Sequence, residues 1–321
     1  MTQRLLMAGL IALLALLSPA PPVVAQDLVR IGTGVDPVYV QWWIAHDKGF
    51  FKKHNINSEI KQFTGGPDMA DAVMAGEVDF GSSGTATLMP RIARGNLLVI
   101  STISTSPVSF KVAARTSIQS PADLRGKKVG TVGGSTTDYL WSVLAKRYGI
   151  PENELQLVSV QPPELVPTLD RGDIQAFMSW EPWPSRAVEI SGKDKVKVLV
   201  TSGDFGYFLH FIAVVNRKFA EAKPDATARV LAALRDASEF VYTNRAEAIK
   251  IGAQYSKIKP ELSASIIDQY KYTLTLTEEM GKVAKEEEAW MRSKGRIKTA
   301  DPIDWSKTID GRFLEKSMAI K

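Results

Sequence analysis

The chain has 321 residues, 45% apolar and 23% charged, with a formal charge of +5; that length suggests about two domains and is enough to bury a large core. This mixture excludes disorder, a collagen-like repeat and a coiled coil. It contains no cysteine, which excludes disulfides, a thiol nucleophile, Cys-ligated zinc, iron–sulfur clusters and a lipid-bearing N-terminal cysteine.

The first 25 residues read as an export signal rather than as part of the fold. Arg4 supplies the positive start, residues 5–17 are apolar and uncharged, and Val23-Val24-Ala25 is a small-residue cleavage site before Gln26. As a helix the apolar stretch reaches about 20 Å, short of a hydrocarbon core of about 30 Å. A cleaved signal peptide and a periplasmic product are expected. Beyond it, basic residues alternate with acids, as in Glu286-Glu287-Glu288 beside Lys282 and Lys285. No arginine-rich arm or nucleic-acid motif occurs, so nucleic acid is not an expected partner.

In chain order, a strand at 29–33 leads to a helix at 37–46, with Asp36-Pro37 as N-cap and first-turn proline. A strand at 59–63 precedes a helix from Gly66-Pro67-Asp68 to Ala75, closed by Gly76, and a strand at 78–80. Residues 112–115 form a buried strand. A second unit repeats the plan: strand 128–132, a helix at 136–148 capped by Ser135, strand 156–160, a helix at 163–171 closed by Gly172, and strand 174–178. Residues 211–216 form another buried strand, and helices follow at about 230–241, 245–255, 260–272 and 278–293, the first with Val230, Leu234, Ala237 and Val241 on one face. Two α/β domains of one architecture are expected, each a mostly parallel sheet flanked by helices. Segments 112–115 and 211–216 are expected to be the crossings between them.

Enzyme motifs are absent: there is no His-Glu-x-x-His, P-loop or Gly-x-Ser-x-Gly elbow, and His46, His54 and His210 are scattered. The candidate site is a set of loops at the carboxyl ends of strands, where open α/β sheets bind ligands. These loops hold Asp36 and Tyr39, then Ser83, Gly84 and Thr85, then Gly134, Ser135, Thr136 and Thr137. Glycine-rich turns before helices present N–H groups and hydroxyls to an anion, or simply cap the helix. Trp180-Glu181-Pro182-Trp183 offers either a pocket wall with one carboxylate, or packing and a helix cap. Phe205, Tyr207 and Phe208 line the same cleft or form a hinge cluster.

Four segments carry a family resemblance: Lys48-Gly49-Phe50-Phe51-Lys52, Ala75-Gly76-Glu77-Val78-Asp79-Phe80-Gly81, residues 120–129 from Ser120-Pro121-Ala122-Asp123-Leu124, and Trp180-Glu181-Pro182-Trp183. The chain resembles the periplasmic substrate-binding proteins of ABC importers for aliphatic sulfonates, taurine and nitrate, a group related to pyrimidine-precursor binders. The resemblance implies a two-lobed periplasmic-binding-protein-like α/β fold with two hinge crossings. Residues 26–111 with 212–321 would form lobe I, and residues 112–211 lobe II. It places Tyr39, Gly84, Thr85, Ser135, Thr136 and Glu181 near a small-molecule ligand. Its further implications are no cofactor or metal, a monomer, and an ABC importer permease as partner. The alternatives are an enzyme on the same scaffold, although the related fungal thiamine-pathway enzyme is associated with histidine and a cysteine-rich motif that this chain lacks, and a periplasmic sensor that passes its ligand to another receptor. An aminosulfonate would reconcile hydroxyls at a helix start with Glu181 at the other end.

Overall fold

The computed structural model describes residues 26–320, so the expected export signal lies outside the described residues. Its strands, in chain order, are β1 (Asp27–Thr33), β2 (Ile56–Gln62), β3 (Phe80–Gly84), β4 (Leu97–Ser106), β5 (Phe110–Arg115), β6 (Lys128–Thr131), β7 (Gln156–Ser159), β8 (Ala176–Trp180), β9 (Val196–Thr201), β10 (Leu209–Asn216) and β11 (Lys271–Thr275). They form two sheets, ordered β11-β4-β10-β3-β1-β2 and β7-β6-β8-β5-β9, with helices packed on both.

The duplicated plan is visible in the pairing. β1 lies parallel between β2 and β3, and β6 lies parallel between β7 and β8. In each unit a glycine in the left-handed region, Gly76 at φ 79° or Gly172 at φ 84°, ends the helix that returns the chain. The next N–H groups then dock on the start of the central strand, Asp79 N–H to the Arg30 carbonyl at 2.7 Å and Gln175 N–H to the Lys128 carbonyl at 2.8 Å. These turns delay the third strand of each unit. It begins at Phe80 rather than 78, and at Ala176 rather than 174.

The sheets are mixed rather than mostly parallel. Beyond each parallel trio the strands run antiparallel: β10 against β3 and β4, β11 against β4, and β5 against β8 and β9. Residues 112–115 and 211–216 are therefore not crossings, because β5 and β10 each belong wholly to one sheet. The chain passes between sheets at residues 107–109 and returns at 202–208. The helix expected at 260–272 ends at Ile267, and Lys271-Tyr272-Thr273-Leu274-Thr275 alternates as edge strand β11.

Two tryptophans fix the first helix on its sheet close to the strand ends. Trp42 donates through Nε1 to the Ser82 hydroxyl at 3.0 Å, and Trp43 to the Thr33 hydroxyl at 3.2 Å; both rings are fully buried. Each indole thus buries a large apolar surface while its one polar atom keeps a partner.

Candidate functional site

A small cavity, with room for occupants of about 40 Å³, lies between the two sheets, the kind of interface where small-molecule sites occur. The first sheet's side contributes Gly34, Asp36, Val38 and Tyr39 after β1, Thr64, Gly65 and Gly66 after β2, and Ser83, Gly84 and Thr87 at the end of β3. Leu209 and Phe211 come from β10, and Tyr270 from the segment before β11. From the other sheet come Phe110, Ser135, Thr136 and Trp180, with Ser109 on the first crossing.

Three helices begin here: Gly66–Ala75, Thr85–Ile92 and Thr136–Arg147. Their dipoles favour a negative or hydrogen-bond-accepting group, although the first N–H groups of the third helix already have partners, Thr137 in the Ser135 hydroxyl and Asp138 in the Ser135 carbonyl. The lobes already meet at this end. Thr136 donates its N–H to the Thr87 hydroxyl at 3.0 Å, and the two hydroxyls are 3.0 Å apart. A Cβ on Gly84 would stand 2.6 Å from the Thr136 hydroxyl, so this approach requires glycine. Elsewhere, salt bridges from Lys294 to Glu152 and from Arg296 to Asp138 also join the two halves, as does Lys259 to Glu189 at 2.7 Å.

The other end is aromatic and acidic. Tyr39 donates its hydroxyl to the Ser82 carbonyl at 2.8 Å and packs edge-on against Phe211, with ring centroids 5.1 Å apart. Asp36 is 5% exposed. Burial pushes its carboxyl up to about 7, against backbone N–H groups that lower it, and the Glu181 charge raises it further. Tyr270 is held far above the usual phenol range by burial, then by Asp36.

Of the thirteen residues singled out in the sequence, seven line the cavity: Asp36, Tyr39, Ser83, Gly84, Ser135, Thr136 and Trp180. Six do not. Glu181 is buried and its carboxylate is already occupied: the Lys111 ammonium lies at 2.5 Å, the Ser185 hydroxyl at 2.9 Å and the Ser185 N–H at 3.2 Å. It caps the helix Trp183–Ser191. Trp183 packs into the second sheet's core beneath Arg186. Thr137 turns inward to Thr131, Val132 and Ser135. Gly134 serves the turn, at φ 75°, donating to Asp138. The Thr85 side chain is buried away from the cavity beside Tyr207 and Glu287. Phe208 packs against His210 and is partly exposed. Of its neighbours, Phe205 and Tyr207 are buried in the return crossing, and neither lines the cavity.

Sequence reasoning missed Thr64, Gly65 and Gly66, although Gly-Gly-Pro before a helix was available as a signal. It also missed Ser109, Phe110 and Tyr270, which no local pattern marks because the tertiary fold alone brings them here. Among the described residues, no group of three or more His, Asp or Glu side chains is arranged to hold a metal ion.

A profile of the NMT1/THI5-like family matches residues 36–248. The taurine-binding periplasmic protein of Escherichia coli is 25% identical over 285 residues, 84% of this chain and 87% of that protein. The crystal structure of the periplasmic aliphatic sulphonate binding protein of Escherichia coli superposes with a TM-score of 0.77 at 20% identity, covering 88% of this chain and 92% of that one. The desulfurization enzyme DSZB also shares the fold, with a TM-score of 0.68 at 12% identity, over 92% and 99% of the two chains.

Proposed function

We propose that this chain, which belongs to the NMT1/THI5-like family, is a solute receptor that captures a small organic anion or zwitterion and delivers it to the permease of an ABC importer. The observation that carries this reading is the cavity between the two sheets, where three helix N-termini meet an aromatic wall. Helix N-termini hold an acceptor group without any covalent chemistry. Among the described residues, no histidine lines the cavity and Asp36 is the one carboxylate in its wall. The reading is one of binding without catalysis, as in the relatives named as binding proteins.

In this reading the two sheets are the cores of two lobes that close by a hinge at residues 107–109 and 202–208. The Thr87–Thr136 bridge and the salt bridges between the lobes hold the closed form, and the ligand supplies the differential free energy that favours it. The taurine-binding and aliphatic-sulfonate-binding relatives support a sulfonate-like head group, which the helix N-termini would hold. The protein acts as a monomer in the periplasm, exported by the signal at residues 1–25.

Calorimetric titration with taurine, ethanesulfonate and nitrate, followed by small-angle scattering at saturation, tests the proposal. One ligand per chain, a smaller radius of gyration and ligand recovered unchanged are expected. Chemical conversion of a bound ligand would replace the receptor with an enzyme.

A further inference from the structure

Asp36 has no counter-charge. Among the described residues, no lysine, arginine or histidine pairs with its carboxylate, and no basic side chain lines the cavity at all. Glu181, whose charge acts on Asp36, is itself paired with Lys111 and bonded to Ser185. The cavity wall thus carries one uncompensated acid, buried among aromatic rings. A buried acid without a counter-charge is costly to ionise, and a cation arriving beside it removes that cost.

The surroundings specify what arrives. Tyr39 and Tyr270 flank Asp36, and Trp180, Phe110 and Phe211 complete the wall. A carboxylate within aromatic faces is the chemistry that holds an ammonium group, by ion pairing and by attraction to the ring quadrupoles. The Tyr39 hydroxyl is already spent on the Ser82 carbonyl, so Tyr39 offers its ring rather than a donor. The Ser109 hydroxyl, buried in the same wall and without a partner, is free to accept an N–H.

We infer that the ligand carries a protonated amine, paired with Asp36, and that this contact makes the receptor select aminated solutes over plain anions such as nitrate or alkylsulfonates. The inference rests on the receptor reading and assigns the amine to Asp36 in place of Glu181. A plain anion meets the same helix N-termini but gains nothing at the aromatic end and is repelled by the unpaired acid. Burial, which pushes the Asp36 carboxyl up to about 7, supplies a second signature. A bound ammonium favours the ionised form and releases protons near neutral pH, whereas a bound anion favours the protonated form and takes protons up.

The test uses matched pairs that differ only in the amine: taurine with ethanesulfonate, and 3-aminopropanesulfonate with propanesulfonate. Calorimetry in two buffers of different ionisation enthalpy gives affinity and proton exchange together, and native mass spectrometry identifies any solute retained from the cell. The aminated member of a pair should bind at least about tenfold more tightly, as for a hydrogen bond to a charged group, and should release protons. Asp36→Asn should abolish that preference and the proton release; its melting temperature in the absence of ligand reports that the variant folds. Equal or tighter binding of the plain sulfonate, or proton uptake with taurine, overturns the inference and leaves the receptor standing. If none of the four binds, a retained solute bearing an amine supports the inference and one lacking it overturns it. No binding and no retained solute overturns the receptor itself.

Discussion

Replacing Lys111 by methionine should destabilise the protein more than replacing the acid it pairs with. Glu181 is 1% exposed and Lys111 16%, with 2.5 Å between ammonium and carboxylate. Removing one partner of a buried ion pair costs about 3–5 kcal/mol, because the other charge is left without compensation. Two bonds from Ser185 remain to Glu181 and place Lys111→Met at the lower end, about 3 kcal/mol. In Glu181→Gln the amide keeps bonds to Ser185, and the partly exposed lysine can turn its ammonium to water, so about 1–2 kcal/mol is expected. With an unfolding entropy of about 2.1 cal/mol/K per residue, the lysine variant should melt about 5 °C lower and the glutamine variant about 2–3 °C lower. Thermal and urea unfolding of ligand-free protein measure both. The double variant should resemble Glu181→Gln alone, since the two residues act as a unit. A Lys111→Met protein as stable as the parent would refute the structural role given to Glu181.

Thr87→Val removes the acceptor for the Thr136 N–H and leaves that donor buried, a cost of about 1–3 kcal/mol borne by the closed form. Ligand affinity should fall about tenfold, and scattering should show a larger radius of gyration at equal ligand concentration; unchanged values would remove the bridge from closure. Glu287 is fully buried, and burial pushes its carboxyl up to about 8 from an ordinary 4.5, opposed by the neighbouring Thr85 and Tyr207 hydroxyls, of which Tyr207 donates to it at 3.2 Å. The folded state then holds a proton that the unfolded state has lost. Its contribution to stability is therefore full below the unfolded value and is lost as pH rises from 4.5 to about 8, by at most about 1.4 kcal/mol per pH unit. Glu287→Gln should remove that contribution, read as a shallower decline of urea midpoints across this range; an unaltered slope would place the proton elsewhere.

The repeated strand–helix units were legible because each rests on local signals: Asp36-Pro37, Ser135 and the closing glycines Gly76 and Gly172 mark helix ends wherever they occur. β4 was not legible. It is buried on both faces, so its first half shows no alternation, and the serines and threonines of Ser101 to Ser106 read as loop although the neighbouring strands cover them. β9 could have been found, since Val196, Val198 and Val200 alternate with Lys197, Leu199 and Thr201 in a β-branched run. For the site, sequence could show that Glu181 sits at a helix start, but not that Lys111 lies opposite it on a neighbouring strand. Conversely, Asp36 reads as an N-cap, and nothing local shows that its side chain also lines the cavity.

The central claim is that one small molecule sits between the lobes, and native mass spectrometry of the parent protein beside Gly84→Val tests it most directly. The Gly84 backbone, at φ −61° and ψ 147°, suits any residue, but a side chain there meets Thr136 at 2.6 Å and Leu209 at 3.2 Å, filling the cavity. After incubation with the solute that binds the parent, a single one-to-one complex is expected on the parent and none on the variant, with both folded. Equal occupancy on the two proteins would put the solute somewhere else, and the claim would fail.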